Sequence, residues 1–348
     1  MHRLASAEGS RRRALIAGAL VALSPGLVLY TPALMTEANA GLLLAVAAAV
    51  TFGNTPRAAW PRRLLGAALL AGVVYLRPQL LLLAPVLGFL AAPAGAAARL
   101  ASALVVTAAC VALCLPWTLR NCRKMDACAF ISANGGWNLF IGSSPAGEGG
   151  FAPIERIGVP EACKTVFGEA GKDRCFGNAG AQRIAADPGA WLALVPSKLG
   201  QTFNYGTASA HYLSSSNGAV VGETGKIAIG ALELLGQRLF VLAALFGLAR
   251  AEGPRRGVRS VLGALFAPFL FLPAAWVAWV GVIALAFLLG RTQLARPRLC
   301  FAVATLLATA LIHAVFFGAA RYALVCLPAL ALLAACSSGP RGTPVPRY

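Results

Sequence analysis

The stretch that decides the fold is Ala101-Ser-Ala-Leu-Val-Val-Thr-Ala-Ala-Cys-Val-Ala-Leu-Cys-Leu-Pro116, sixteen residues without a charge. Similar runs cover 14–30, 41–52 and 301–317. A helix of about 20 apolar residues crosses a hydrocarbon layer roughly 30 Å thick. These runs lack the alternation of a membrane barrel strand. Because backbone in lipid must bond to itself, the sequence predicts an all-α, polytopic transmembrane helical bundle.

Composition supports a membrane protein and argues against a nucleic-acid partner. Hydrophobic residues make up 58% of the chain and charged residues 12%, where a soluble domain carries about 25% charged residues. The formal charge is +18, but the segment from Arg120 to Lys226 is nearly neutral, with 10 of the 30 basic and 8 of the 12 acidic residues. Most other basic residues lie in short connections between apolar runs, as the positive-inside rule predicts. We therefore expect membrane lipids as partners and no nucleic acid.

The arginine-rich connections define a membrane topology. Arg11, Arg12 and Arg13 are expected to hold the N-terminus in the cytoplasm. Arginines at 57–63, 99, 250–259, 291–298, 341 and 347 mark the other cytoplasmic segments. About ten spans follow, which places both termini in the cytoplasm. Their approximate limits are 14–30, 39–53, 64–76, 79–92, 100–117, 230–250, 258–273, 275–290, 299–318 and 322–337.

This topology divides the chain into five parts. The first apolar run lacks a convincing cleavage site, so we interpret it as a true span and not as a removable signal peptide. The segment 118–229 becomes an extracytoplasmic loop region, with short helices expected at 181–188 and 191–203. The predicted parts are a basic leader at 1–13, a first bundle at 14–117, the loop region at 118–229, a second bundle at 230–337 and a tail at 338–348.

A few polar residues fall on the extracytoplasmic side beside apolar runs, where polar groups are rare and often functional. Glu37 is either a solvated carboxylate at a helix N-terminus or a carboxylate at the mouth of a cavity. Arg77 is either an interfacial arginine or a guanidinium presented to a lipid phosphate. Arg321 departs from the positive-inside pattern in the same way. For His313, a structural role is favoured over proton transfer.

The loop region opens with two motifs, Pro116-Trp-Thr-Leu-Arg-Asn121 and Ile131-Ser-Ala-Asn-Gly-Gly-Trp-Asn-Leu-Phe-Ile-Gly142. Glycines let backbone approach a ligand closely. The amides of Asn134 and Asn138 suit sugar hydroxyls, and the ring of Trp137 suits a sugar face. An ordinary turn-rich loop, with Trp117 and Trp137 at the membrane interface, is the alternative.

The cysteine positions predict disulfides, and the absence of two kinds of motif argues against zinc and nucleotide sites. Oxidation is permitted outside the cytoplasm, so Cys163 with Cys175 is the preferred disulfide and Cys122 with Cys128 the second candidate. A zinc site is disfavoured because no Cys-x-x-Cys pair occurs. No P-loop or Gly-x-Gly-x-x-Gly cradle is present either, which argues against a nucleotide site.

In their order, these residues resemble bacterial membrane glycosyltransferases of family 39, the protein-mannosyltransferase and aminoarabinose-transferase type, which have the GT-C fold. The Pro-Trp…Arg-Asn to Asn-Gly-Gly stretch is the most specific part. The residues that carry the resemblance are Pro32, Thr36-Glu37, Arg77-Pro78, Pro116-Trp117, Arg120-Asn121, Ser132, Asn134-Gly-Gly-Trp-Asn-Leu139, Gly142, Lys198, His313, Phe317, Arg321-Tyr322 and Pro328.

The resemblance implies a reaction in the bacterial inner membrane. Such enzymes transfer a sugar from a polyprenyl-phosphate donor to a lipid, glycan or protein acceptor on the extracytoplasmic face, with a carboxylate as base. Glu37 is then the candidate catalytic acid, and Arg77, Arg120 and Arg321 are candidates for the phosphate. Asn121, Asn134, Trp137, Asn138 and Tyr322 complete the expected lipid-phosphate or sugar-binding set. No cofactor is assigned, and a divalent metal is left open.

One departure qualifies the expected activity. The family carries a signature acid in a large first external loop, and no acidic external loop precedes Glu37 here. An N-terminally truncated homologue is the favoured explanation, with a partner supplying the missing half or an inactive homologue as the others. The alternative functions are an O-antigen-ligase- or polymerase-like enzyme, with His211 and His313 as its candidates, and a non-catalytic membrane protein.

Overall fold

Uncharged runs of Ala, Leu and Val form the helices because such a backbone satisfies its own hydrogen bonds in an apolar surrounding. The computed structural model describes residues 5, 11–33, 35–53, 59–125, 127–289 and 296–336. Within these ranges the protein is all-α, and pairing of extended backbone is limited to an isolated bridge between Gly150 and Gly318. The all-α part of the predicted fold class is therefore confirmed for the described residues.

From Arg11 onward, the described N-terminal residues form six α-helices. The first two are separated by a break at Ser24, whose side chain caps the second, and Pro25 starts that helix. The fourth ends at Arg77 because Pro78 follows it. Their bounds are α1 Arg11–Ala22, α2 Pro25–Tyr30, α3 Glu37–Phe52, α4 Trp60–Leu76, α5 Leu83–Ala91 and α6 Ala96–Lys124.

The predicted loop region is a set of short helices. The expected helix at 181–188 is the end of a longer helix that starts at Glu169. The expected amphipathic stretch at 191–203 is divided at Leu194, two residues before Pro196. The bounds are α7 Gly135–Ser143, α8 Ile154–Ile157, α9 Glu161–Lys164, α10 Glu169–Ala186, α11 Pro188–Ala193, α12 Val195–Phe203 and α13 Ala208–Ser216.

Among the described residues, the C-terminal part contains five α-helices and two 3₁₀ segments, Ala267–Phe271 after the second of these helices and Ala320–Cys326 between the last two. Their bounds are α14 Glu223–Arg250, α15 Arg256–Phe266, α16 Trp276–Phe287, α17 Pro297–Val315 and α18 Leu327–Ala334.

In the part of the chain that the structure describes, four helical stretches are long and apolar enough to cross a membrane: Arg11–Ala33, Ala96–Lys124, Glu223–Arg250 and Pro297–Val315. Shorter apolar stretches lie at Glu37–Phe52, Pro78–Ala91, Trp276–Phe287 and Ala320–Ala334. A helix overlaps each of the ten predicted segments, but only four of these helices reach full length. Arg57, Arg291 and the predicted tail at 338–348 lie outside the described residues, as does most of the leader at 1–13.

One hydrophobic core joins the two ends of the chain, with members from α3 to α6 and from α14 to α18. Helix α17 is the most enclosed of the four long helices, and it packs against α5, α12 and α18. Helix α3 packs against the segment Ala320–Cys326. This last contact brings the start of α3 and Arg321 to the same place.

Two disulfides fasten the region after α6. Cys122 is joined to Cys128, and Cys163 is joined to Cys175, the preferred pair from the sequence. The second bond ties α9 to α10, and Cys163 is buried with Phe140 and Phe176. Helix α10 in turn packs along α7, so the bond supports the helix that carries the Asn-Gly-Gly motif.

Candidate functional site

The site is built around one buried carboxylate. Glu37 is the first residue of α3, where the N-terminal end of a helix stabilises a negative charge. Its side chain is 0% exposed. The Tyr30 hydroxyl donates to Oε2 of Glu37 at 3.0 Å. Arg77 donates through Nη2 to Oε1, and Nε of Arg321 lies 3.3 Å from the same oxygen.

Arg77 reaches this carboxylate because the chain breaks there. The residue before a proline avoids the helical region, and Arg77 has φ −145° and ψ 86°. The guanidinium lies 5.2 Å from the ring of Tyr322. Its side chain is 15% exposed, and its buried Nε has no hydrogen-bond partner among the described residues.

Arg321 comes from the 3₁₀ segment on the opposite side of Glu37. It donates through Nη1 to the Tyr212 hydroxyl at 2.5 Å and through Nη2 to the Tyr322 hydroxyl at 3.1 Å. Its Nε is within ion-pair distance of Glu37 but is not aligned for a hydrogen bond. Both arginines are therefore held by side chains, and the Nε atom of each is buried without a hydrogen-bond partner among the described residues.

The charges of this cluster do not cancel. Two guanidinium groups share one carboxylate, and arginine is always protonated in proteins. The hydroxyls of Tyr30, Tyr212 and Tyr322 bond to these groups. One positive charge is left over at a partly buried position, which favours an anionic ligand.

The two arginines line a cavity of about 450 Å³. Its polar lining comes from Thr36, Arg77, Gln79, Ser132, Asn134, Asn138, His313 and Arg321, and its apolar lining includes Met35, Leu76, Ile312 and Phe316. Neither Asp nor Glu is among the described residues that line it. Glu37 lies behind the arginines. It starts a helix, as one reading of the sequence expected, but it is neither solvated nor at the cavity mouth.

His313 forms one wall of the cavity. Its ring is stacked on Tyr322, with centroids 4.0 Å apart and planes 12° apart. The Nδ1 atom lies 2.9 Å from the Phe317 carbonyl oxygen. A carbonyl only accepts, so Nδ1 carries the proton and Nε2 keeps its lone pair. Nε2 makes no hydrogen bond to the described residues.

The Asn-Gly-Gly-Trp motif forms the opposite wall. Asn134, Gly135 and Asn138 line the cavity, and a Cβ on Gly135 would meet nothing within 4 Å. Gly136 differs, because a Cβ there would lie 1.9 Å from the Asp173 carbonyl oxygen. The first glycine therefore opens the cavity, and the second lets α7 approach α10.

Trp137 is not in the cavity lining. Its ring packs edge-on against Phe176 with centroids 4.5 Å apart, and its backbone N–H donates to Asp173 at 2.8 Å. Of the two roles expected from the sequence, sugar contact or loop architecture, this position fits loop architecture.

Arg120 and Asn121 are also absent from the cavity lining. The Arg120 guanidinium lies 4.8 Å from the Trp117 ring on an exposed surface and donates to Asn121 at 3.1 Å. Asn121 is buried and donates to the carbonyls of Ala129 and Ile131. These contacts shape the turn that leads from α6 to Ser132 and Asn134.

A second cavity of about 540 Å³ lies on the other side of Arg321 and Phe317. Its lining includes Phe151, Gln201, Tyr205, His211 and Tyr212. Arg321 and Phe317 line both cavities. The two histidines considered for the ligase-like alternative are therefore on different sides of this divide.

Tyr30 and Tyr212 were missed by the sequence analysis. Both bond to the charged cluster, and their rings meet edge-on at 5.8 Å. They come from α2 and α13, far apart along the chain. The sequence offers no local motif that would have identified them.

Lys198 completes the support of the His313 wall. It is fully buried and donates to the carbonyls of Ala314 and Val315 at 3.1 and 3.2 Å. These carbonyls belong to the last turn of α17, where a cation is favoured. Burial lowers the pKa of Lys198 to about 8. The lysine fixes the end of the helix that carries His313.

No family model, curated protein or solved structure matches this chain. Among the described residues, no group of three His, Cys, Asp or Glu side chains is placed to hold a metal ion.

Proposed function

We propose that this protein is a membrane glycosyltransferase of the GT-C type, similar to family 39. It transfers a sugar from a polyprenyl-phosphate donor to a lipid, glycan or protein acceptor. The observation that carries this proposal is the pair Arg77 and Arg321, which share Glu37 and line the cavity with one uncompensated positive charge.

The cavity fits the three parts of such a donor. Planar guanidinium groups bind phosphate oxygens in a fork, and both Arg77 and Arg321 line the cavity. Asn134 and Asn138 supply amides for sugar hydroxyls, while Ile312 and Phe316 supply an apolar surface for an isoprenoid chain. The volume, about 450 Å³, is within the range of small-molecule sites.

Glu37 acts as a positioning residue in this scheme. Its carboxylate is fully buried and bonded to Tyr30 and Arg77, so it does not face an acceptor hydroxyl. It sets the spacing of the two arginines and offsets part of their repulsion.

The finer topology belongs to the same proposal. About ten spans place both termini in the cytoplasm of a bacterial cell, in its inner membrane. The cavity then opens on the extracytoplasmic side. The two disulfides lie in the segment assigned to that side, where disulfides persist.

A transfer assay tests the function. The full chain in liposomes is supplied with polyprenyl-phosphate-linked sugars and a mixture of lipid and glycan acceptors. Transfer by the wild type is expected, with a loss of about 100-fold in kcat/KM for Arg77→Gln, since charge-assisted hydrogen bonds contribute about 1.5–3 kcal/mol each.

Arg120→Gln is the matched control, because Arg120 is an exposed arginine of the same motif set that does not line the cavity. It should keep wild-type kcat/KM within about threefold, since exposed polar contacts contribute little. Absence of transfer from every polyprenyl-phosphate sugar, or an equal loss in both variants, contradicts the proposal.

Single-cysteine labelling in intact cells tests the topology. A membrane-impermeant maleimide should label a cysteine at Thr165, in the segment between the two disulfide-linked helices, and should not label one at Gly257, at the start of α15. The opposite pattern would reverse the assignment of the cavity to the outside.

A further inference from the structure

A groove of about 280 Å³ lies between α1 and α14, and it shares no described lining residue with the cavity of Arg77 and Arg321. Both helices pack against α18, and Ala334 and Ala335 at the end of α18 form the floor of the groove. A Cβ on Gly247 would lie 2.5 Å from the Ala334 carbonyl oxygen, so this glycine lets α14 lie directly on the floor. The walls are formed by Arg13, Ile16, Ala17 and Leu20 of α1 and by Ala243, Phe246, Gly247 and Arg250 of α14.

Each wall is a single face of one helix. The wall residues of α1, like those of α14, follow the spacing i, i+3, i+4, i+7, which places side chains along one side of a helix. Gly236 of α14 lies against Pro25, after the end of α1, and later residues of α14 line the groove with α1, so the two helices run in opposite directions. Arg13 is the first wall residue of α1 and Arg250 is the last of α14, which places both at the same end of the groove.

The rest of the groove is apolar. Ile16 and Phe246 are 51% and 56% exposed, and Leu20 and Ala243 line the end away from the arginines. The guanidinium of Arg250 lies 4.2 Å from the ring centroid of Phe246, a cation–π contact that holds it beside the groove. A cationic end and an apolar length complement a molecule with an anionic head and a hydrocarbon tail.

The surroundings of the cationic end are also basic. The acid nearest to Arg250 along the chain, Glu252, is exposed and does not line the groove. The positive-inside rule assigns these segments to the cytoplasmic side, and basic pockets between transmembrane helices on that side bind the head groups of anionic lipids. Four further exposed arginines lie next to the two groove arginines along the chain: Arg11, Arg12, Arg255 and Arg256.

We infer that this groove binds a phospholipid with a net negative head group from the cytoplasmic leaflet. The lipid phosphate lies between Arg13 and Arg250, because planar guanidinium groups bind phosphate oxygens well. One acyl chain follows Ile16, Leu20 and Phe246. A soluble phosphate would use only the cationic end of the groove, so the apolar length favours a lipid. Lipid binding here does not depend on the proposed sugar transfer.

Native mass spectrometry of the full chain in detergent measures this binding. Phosphatidylglycerol is the anionic probe, and phosphatidylcholine with the same acyl chains is the neutral probe. Each arginine near a lipid surface strengthens the attraction to anionic lipid by about fivefold, so the first phosphatidylglycerol should bind about 25-fold more tightly than phosphatidylcholine. Glycerol phosphate at the same concentration as the lipid should not displace it.

Two variants test the two ends of the groove separately. Arg250→Gln should weaken phosphatidylglycerol binding by about fivefold and leave phosphatidylcholine binding unchanged, since only the attraction between charges is lost. Ala243→Phe should weaken the binding of both lipids, because the larger side chain occupies the apolar length.

Arg99→Gln is the matched control. Arg99 is also an exposed arginine beside an aromatic ring, 5.3 Å from the centroid of Phe89, and it lies in another connection assigned to the cytoplasm. It does not line the groove, so Arg99→Gln should keep the wild-type affinity for both lipids.

Three results would overturn the inference. The first is equal affinity of the wild type for phosphatidylglycerol and phosphatidylcholine. The second is a loss of phosphatidylglycerol binding in Arg99→Gln as large as in Arg250→Gln. The third is displacement of the lipid by glycerol phosphate, which would indicate a site for the phosphate alone. None of these measurements requires turnover, so their outcome is separate from that of the transfer assay.

Discussion

Two pairs of largely enclosed arginines in this protein have opposite surroundings. Arg259 and Arg298 are buried and donate to backbone carbonyls at helix ends, Arg259 to Leu248 and Ala251 and Arg298 to Gly53. The side chains of Arg77 and Arg321 are 15% and 24% exposed, and they donate to side chains around a cavity. The two pairs therefore differ both in exposure and in the groups that they contact.

The two pairs of arginines differ in the groups that their guanidinium groups neutralise or bond. The last carbonyls of a helix lack partners within it, and a cation at that end is favoured by the helix dipole. Arg259 therefore finishes a helix that is stable without any ligand. Arg77 and Arg321 finish a charge cluster that remains positive, and an anionic ligand would complete it.

The largest expected effect tests the difference between the cavity arginines and the helix-end arginines directly. Arg321→Gln should lower kcat/KM for transfer by about 100-fold or more, because two or more charge-assisted hydrogen bonds to the leaving phosphate are lost. Arg259→Met should keep kcat/KM per folded molecule within about threefold. Its melting temperature in detergent should fall instead, since each unsatisfied buried carbonyl costs about 1–3 kcal/mol.

Arg321→Lys provides the matched control for charge. It keeps the positive charge but loses the planar fork, so an intermediate kcat/KM is expected. If Arg259→Met lost transfer as fully as Arg321→Gln at equal folded fraction, the division between structural and functional arginines would be unfounded.

The sequence predicted more of the residues that line the cavity than of the residues that hold them in place. Asn134 and Asn138 were found because amides beside glycines in an external loop suggest hydroxyl binding. Arg77 and Arg321 were found because they break the positive-inside pattern. Each of these indications is local: a residue type at a place where lipid and sidedness make it unusual.

What the sequence could not predict depends on contacts between distant segments. Tyr30 and Tyr212 meet the arginines only because α2, α13 and the segment Ala320–Cys326 fold together. Gly136 resembles Gly135 in sequence, yet it packs against Asp173. Arg120 shares a motif with Asn121 but lies exposed on Trp117. Residues that are adjacent in sequence can therefore differ in whether they face the cavity.

The predicted number of membrane spans has the same weakness, because the sequence does not show how the helices pack. Ten apolar segments were predicted and helices overlap them, but helices such as Trp276–Phe287 are short for an independent span. A short helix can be enclosed by its neighbours, and length criteria apply to helices that meet lipid. Packing, which the sequence does not show, decides between these cases.

A smaller effect is expected at Glu37, the carboxylate that both cavity arginines contact. Glu37→Gln keeps the size of the side chain and one carbonyl oxygen but removes the negative charge. The two arginines then repel each other without compensation, so the free energy of unfolding should fall by up to about 3–5 kcal/mol, as for other broken buried pairs. Thermal unfolding in detergent measures this change.

The kinetics of the same variant decide the role of Glu37. As a positioning residue, it should lose less than about tenfold in kcat, and the donor KM should not rise, because the cavity becomes more positive. As a general base it would lose about 10²–10⁴-fold in kcat with its acid limb. A loss of that size in Glu37→Gln would identify Glu37 as the general base. It would also mean that the buried carboxylate becomes accessible when substrate binds.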